Sequence, residues 1–138
     1  MRYLAIDHGT KRMGIAVSDE LKMIAHPLET IPSEPLASFL ERLKQLIAEK
    51  EVELVLVGMP RKLDGTYGPA AGKVEEFLTA LRAAISIPIK TLDERLTTVQ
   101  ANRVLVAGNV RRAERKQTVD KLAAAILLQS YLDAESRG

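Results

Sequence analysis

The chain opens with two short apolar runs, "YLAID" and "MGIAVS", on either side of a turn at Gly9. Their length and alternation predict strands over residues 2–8 and 12–18, joined as a hairpin. Residues 22–31 read as a third strand. Pro27 within it argues for an edge or a bulge, because proline has no N–H to give to a ladder. The period then changes. Leu36, Phe39, Leu40, Leu43, Leu46 and Ile47 recur at helical spacing, with Ser33 placed to cap the helix and Pro35 suited to its first turn. "VELVLVG", residues 52–58, is a nearly continuous apolar run, as expected of a strand covered on both faces.

A loop, "MPRKLDGTYGPAAG", follows, with a turn signal at Asp64-Gly65. Ala70, Val74, Phe77, Leu78 and Leu81 predict a second helix, and "IPIKTLDE" a short strand that ends in acids. Thr97 is placed to cap a third helix, with Gln100 three residues on and Gly108 at its stop. A basic loop leads to a last helix from about Thr118, with Val119, Leu122, Ala123, Ile126 and Leu127 on its apolar side. The order is three strands, helix, strand, helix, strand, helix, helix. This predicts an α/β fold: a mixed five-stranded sheet, antiparallel in its first three strands, with β-α alternation after them and helices on its faces. At 138 residues the chain is expected to form a single domain, residues 1–138.

Composition narrows the chemistry. The chain has no cysteine, so disulfides, thiolate nucleophiles and cysteine zinc sites are excluded, and a reducing cytoplasm is the expected setting. No apolar run is long enough to span a membrane, and Asp7 interrupts the first one too early for a signal peptide. Two isolated histidines build no His-rich metal site. Any metal would take oxygen ligands, which puts magnesium or manganese first.

Carboxylates stand where such chemistry would need them. Ligands of open α/β sheets sit beyond the carboxyl ends of the strands. Asp7 ends the first strand and Asp93-Glu94 ends the last. Asp120 falls in the first turn of the final helix, where a carboxylate also complements the helix dipole. Three carboxylates brought together would repel one another and persist best around a divalent cation. A pair of such ions about 3.5–4 Å apart is suited to phosphodiester cleavage. Asp93 and Glu94 point to opposite sides of a strand, and spacing alone does not choose between them. By the same alternation His8 points away from Asp7.

Cations follow the same edges. Lys11, Arg12, Arg61, Lys62 and Arg95 come just after strand-like segments, and "RRAERK" contributes Arg111, Arg112, Arg115 and Lys116. The net charge of +2 is modest, so their distribution rather than their sum suggests a face for an anionic backbone. Gly9 would let that backbone approach the chain closely.

Four blocks, "LAIDHGTKRMGIAVSD", "VGMPRKLDGTYGPAA", "TLDERLTTVQA" and "KQTVDKLAAAILLQSYL", together resemble the YqgF/RuvX family. These are bacterial ribonuclease-H-fold proteins described as Holliday junction resolvases or as nucleases that mature the end of the small-subunit ribosomal RNA precursor. The resemblance covers essentially the whole chain. It implies a ribonuclease-H-like fold and a metal-dependent nuclease using Mg2+ or Mn2+, with two ions. It carries over Asp7, Glu94 of "DER" and Asp120 of "VDKLAA" as catalytic and metal-binding acids, and so favours Glu94 over Asp93. It places Arg95, Thr97 and Thr98, and Arg61 with Gly65, near substrate, beside Gly9, Lys11, Arg12 and the basic loop. The implied task is processing of the 5′ end of pre-16S rRNA in the cytoplasm, with ribosomal particles as further partners. The alternatives are a junction-cleaving DNase and a non-catalytic nucleic-acid-binding protein. A nucleotide-binding enzyme of the actin and sugar-kinase type would need a second such domain. A junction resolvase needs two symmetric sites, whereas strand trimming needs one, so monomer and homodimer both stay open.

Overall fold

The computed structural model describes residues 1–9, 11–59, 70–93 and 112–137. Five strands, β1 (Arg2–Asp7), β2 (Arg12–Ser18), β3 (Ala25–Pro32), β4 (Val52–Met59) and β5 (Ile89–Asp93), form one sheet in the order β3-β2-β1-β4-β5. β1, β2 and β3 pair antiparallel, while β1, β4 and β5 run parallel. This is the mixed sheet expected from the sequence, and β1 at its centre joins the two halves.

Strand alternation sorts the core into two layers. Leu4, Ile6, Ile15, Val55 and Val57 face one side. There they pack against α1 (Leu36–Glu49), through Phe39, Leu43 and Leu46, and α2 (Ala70–Ala84), through Val74, Phe77, Leu78 and Leu81. Ala5, Ala16, Leu54 and Leu56 face the other side and pack against Ala124, Ala125, Leu127, Leu128 and Leu132 of α3 (Arg112–Arg137). Both faces of β4 are therefore buried, as its continuous apolar run requires. Each fully buried leucine or isoleucine contributes about 1.5–3 kcal/mol of transfer free energy. Four facing alanines let α3 seat close to the sheet.

Contacts at the amino end of β1 fix the direction of α3. The Tyr3 hydroxyl donates to Glu135 Oε1 at 2.9 Å, and the Tyr3 and Tyr131 rings meet edge to face at 5.8 Å. Gln129 accepts from the Ala25 N–H and donates to the Met23 carbonyl. The carboxyl end of α3 thus lies over the start of β1, and the helix runs antiparallel to that strand.

Five expectations are corrected. The third strand begins at Ala25 rather than residue 22. Asp19 Oδ1 accepts the Met23 and Ile24 N–H groups, so the preceding residues close a turn and leave Leu21, Met23 and Ile24 exposed. Ser33 does not cap α1. Its hydroxyl donates to the Gly9 carbonyl, and Pro35 is the N-cap rather than a first-turn residue, with no side-chain cap bond. The last helix begins at Arg112, not near Thr118, so Arg112, Arg115 and Lys116 are helical rather than part of a loop. The segment "RAERKQ" holds good helix formers and no glycine or proline, so nothing in it stops the helix. Asp120, eight residues after Arg112, therefore lies in the third turn rather than the first. Pro27 behaves as expected: β3 is an edge strand, and its register with β2 shifts between Ile15 and Ala16, the partner of Pro27. The helix expected from Thr97 to Gly108 lies outside the described residues.

Candidate active site

The parallel strands β1, β4 and β5 end on the same edge of the sheet, where α/β proteins bind ligands. Asp7 is the last residue of β1 and only 8% exposed. Ile6 pairs with Val57 and Val57 with Thr91, so the next rank across the sheet is Asp7, Gly58 and Leu92. On the other flank Asp7 pairs with Gly14 of β2. Ala5 and Leu56 face α3, and two residues further along their strands Asp7 and Gly58 take the same face. Asp7 therefore takes the α3 face of the sheet with a glycine on each neighbouring strand, in a cradle whose two flanks carry no side chain. Glycine weakens a strand and often marks a close approach by another group. Neither Gly14 nor Gly58 was singled out from the sequence, and that rule was the available signal.

A hard oxygen donor in such a cradle suits Mg2+ or Mn2+. Among the described residues, no three His, Cys, Asp or Glu side chains form a group able to hold a metal ion. Asp7 is the member of the expected triad whose side chain is described. Asp120 is carried on α3, the helix that covers the Asp7 face. Asp93 ends β5. Glu94 lies outside the described residues, as do Arg61, Gly65, Arg95, Thr97, Thr98 and Arg111. With Asp120 in the third turn of α3, the helix dipole no longer accounts for it, because that effect fades within the first turn.

The hairpin turn next to Asp7 is held from below. Ser33 Oγ donates to the Gly9 carbonyl at 2.7 Å, and the Ser33 N–H donates to the Lys11 carbonyl at 2.9 Å. A Cβ on Gly9 would collide with the Arg12 carbonyl oxygen, so the turn itself demands glycine there. Lys11 is exposed and Arg12 half-buried, and with Thr30, Ile31 and Pro32 they line a shallow cavity of about 280 Å³. His8 faces away from Asp7, as alternation requires. Its ring packs on Phe77 at a centroid distance of 5.1 Å. Burial lowers its pKa from 6.5, with Lys73 adding to the effect, which favours the neutral imidazole.

The family model described as "RuvX: Holliday junction resolvase" matches residues 1–134. A protein of Heliobacterium modesticaldum named "Putative pre-16S rRNA nuclease" is 45% identical over 136 residues, covering 99% of this chain and 91% of its own. A protein of Thermoanaerobacter pseudethanolicus with the same name is 46% identical, covering 98% of each. Among solved structures, the Thermus thermophilus RuvC in complex with a Holliday junction substrate superposes with a TM-score of 0.59 at 21% identity, over 99% of this chain and 96% of that one. The fowlpox virus resolvase in complex with junction DNA gives 0.57 at 10% identity, over 98% and 99%. At these identities the structural likeness establishes the fold, which is ribonuclease-H-like as the four sequence blocks implied. The length and identity of the sequence matches establish the family: the chain belongs to the RuvX family of nucleases.

Proposed function

We propose that the protein is a metal-dependent nuclease of pre-16S rRNA, acting at the 5′ end of that precursor, with Asp7, Glu94 and Asp120 as ligands of two divalent ions. The observation that carries this reading is Asp7 itself. A nearly buried carboxylate ends the central strand at the ligand-binding edge, between two glycines and beneath the helix that bears a second acid.

Geometry supports Asp120 as its companion. Asp120 lies one turn before Ala124, which packs in the cluster containing Ala5. Four helical residues rise about 6 Å. Two strand residues, from Ala5 to Asp7, advance about 6.6 Å. Because α3 runs antiparallel to β1, the two steps go the same way. Alternation supports Glu94 over Asp93. Ile89 packs on the α1–α2 side, whereas Leu92 and Lys90, which donates to the Tyr131 hydroxyl of α3, take the Asp7 side. The next position of that parity is 94.

When bound, the ions supply an activated water and neutralise charge on the leaving oxygen. The residues of this chain do the rest. Asp7, Glu94 and Asp120 would hold the ions, and the burial of Asp7 limits bulk water at that acid. Lys11 and Arg12 flank the turn and hold the phosphate backbone, with Gly9 giving it room. By the family resemblance Arg61, Gly65, Arg95, Thr97 and Thr98, and by their charge Arg111, Arg112, Arg115 and Lys116, are assigned to binding the same substrate. The names of the relatives support pre-16S rRNA over a DNA junction, and on this reading the protein works in the cytoplasm, with ribosomal particles as further partners. Among the described residues no helix is long and apolar enough to cross a membrane.

The test incubates the protein with 5′-extended pre-16S RNA and, in parallel, a four-way DNA junction, each with Mg2+, Mn2+ or EDTA. Metal-dependent cleavage of the RNA is expected. Cleavage of the junction alone would transfer the assignment to a resolvase, and cleavage of neither would leave a binding protein.

A further inference from the structure

Asp7 and His8 stand back to back across the end of β1. Behind His8, on the α1–α2 side of the sheet, a cavity of about 350 Å³ opens beside the hairpin turn. Met13 and Phe77, 2% and 4% exposed, make an apolar floor. The His8 ring stands against Phe77, whose other neighbour is Phe39 at 5.6 Å between centroids. Leu36 sits on the rim, 36% exposed, together with Lys73 and Glu76 of α2. Gly9, Ser33 and Glu34 of the turn and its support complete the lining, so the cavity adjoins the surface assigned to the phosphate backbone.

We infer that this cavity is a subsite for one unpaired nucleobase of the substrate strand, next to the phosphate held at Asp7. The inference rests on the nuclease reading only for where the strand runs. The cavity itself carries the choice of ligand. The half-buried His8 ring, backed by Phe77, and the exposed Leu36 present a surface that accepts the flat, apolar face of a base. A lysine and a carboxylate one turn apart on the rim offer a donor and an acceptor to its edge. A base paired and stacked within a duplex has its faces covered by its neighbours, so an unstacked base is the one that can lay a face on this surface. Position supplies the link. Asp7, His8 and Gly9 are consecutive, and His8 and Gly9 both line the cavity, so it opens at the same end of β1 as Asp7. The ligand chemistry is the base, shared by RNA and DNA, and the sugar is left outside.

The test is an abasic walk. Fluorescent single-stranded RNA 12-mers, each lacking one base at a successive position, are titrated against the protein in EDTA, where no cleavage occurs. One position, within two nucleotides of the cleavage point, should weaken binding about 5- to 150-fold, the range for loss of one stacked base. In His8→Ala that position should lose its penalty, and His8→Phe should keep it by retaining a ring. Lys73→Ala, at an exposed position on α2, should reduce the penalty in part, and it gives a second reading should His8→Ala unfold. A DNA 12-mer series should show the same position. A flat walk, a penalty unchanged in both His8→Ala and Lys73→Ala, or no binding of single strands overturns the subsite. The nuclease reading stands or falls separately. A parent protein that cleaves with a flat walk refutes only the subsite, and one that never cleaves but shows the penalised position refutes only the nuclease.

Discussion

Gly14 and Gly58 flank Asp7 for a reason that sheet stability does not supply, and replacing them separates the two roles. Glycine within a strand costs about 0.5–1 kcal/mol relative to alanine. By that term alone, Gly58→Val should raise the metal-free Tm by on the order of 2–4 °C. Function should move the other way. Neighbouring strands lie about 4.7–4.9 Å apart. A valine at position 58 would therefore bring its methyl groups towards the Asp7 carboxylate, which would hold the ion. Disturbing a metal site at one remove already costs about 10–100-fold in affinity or activity. Ions present at a hundred times their Kd stabilise the fold by about 2.7 kcal/mol, which a 100-fold weaker affinity cuts to about 0.4 kcal/mol. The assay is thermal denaturation of the parent, Gly58→Val and Gly14→Val in EDTA and in Mn2+, with cleavage measured alongside. Both variants should lose most of the metal-induced rise in Tm and most of the cleavage. Parental metal stabilisation and parental cleavage in both would refute the cradle.

Three further outcomes follow from the same geometry. Alanine at Arg111, Arg112, Arg115 and Lys116 should weaken binding to different sequences alike and flatten the log–log salt dependence by about 0.7–0.9 per lost phosphate contact, with parallel plots showing that the segment touches no phosphate. Burial, then the hydrogen bond to Glu135, pushes the Tyr3 pKa from 10.0 up to about 12. The folded state thus prefers neutral tyrosine, and this contribution is full below pH 10 and is lost as pH rises from 10 to 12. Tyr3→Phe should flatten that alkaline fall in Tm, and an unchanged profile would count against it. Ser33→Ala removes the bond to the Gly9 carbonyl and should cost about 1 kcal/mol in denaturant unfolding. It should also raise KM more than it lowers kcat, because the turn positions Lys11 and Arg12.

Much of the fold was legible because burial writes itself into period and run length. Leu54 to Gly58 alternates between two layers that are both covered, so that stretch is apolar without a break. Phe39, Leu43 and Leu46 face one layer, so they recur with the helical period. What was misread turned on side-chain hydrogen bonds and on charge. Met23 and Ile24 look like strand residues, but the Asp19 carboxylate takes their N–H groups and folds the chain into a turn. Ser33 looks like a cap, but its hydroxyl reaches Gly9 across 24 residues, a partner that no local pattern reveals. The charges of "RAERK" suggested a loop, although a helix needs apolar residues only where it packs. Asp7 was legible because an acid at the end of a core strand contradicts its surroundings. The glycines beside it were not, because only strand register brings Gly14 and Gly58 to its flanks.

If Asp7 holds a catalytic ion, its charge matters more than its shape. Asp7→Asn keeps the size of the side chain and removes the charge. The decisive measurement is single-turnover cleavage of 5′-extended pre-16S RNA in saturating Mg2+ by the parent and by Asp7→Asn, with binding to the same RNA measured for both. The parent should cleave, and Asp7→Asn should bind the RNA yet fall to the uncatalysed background. Cleavage by Asp7→Asn at the parental rate would contradict the account.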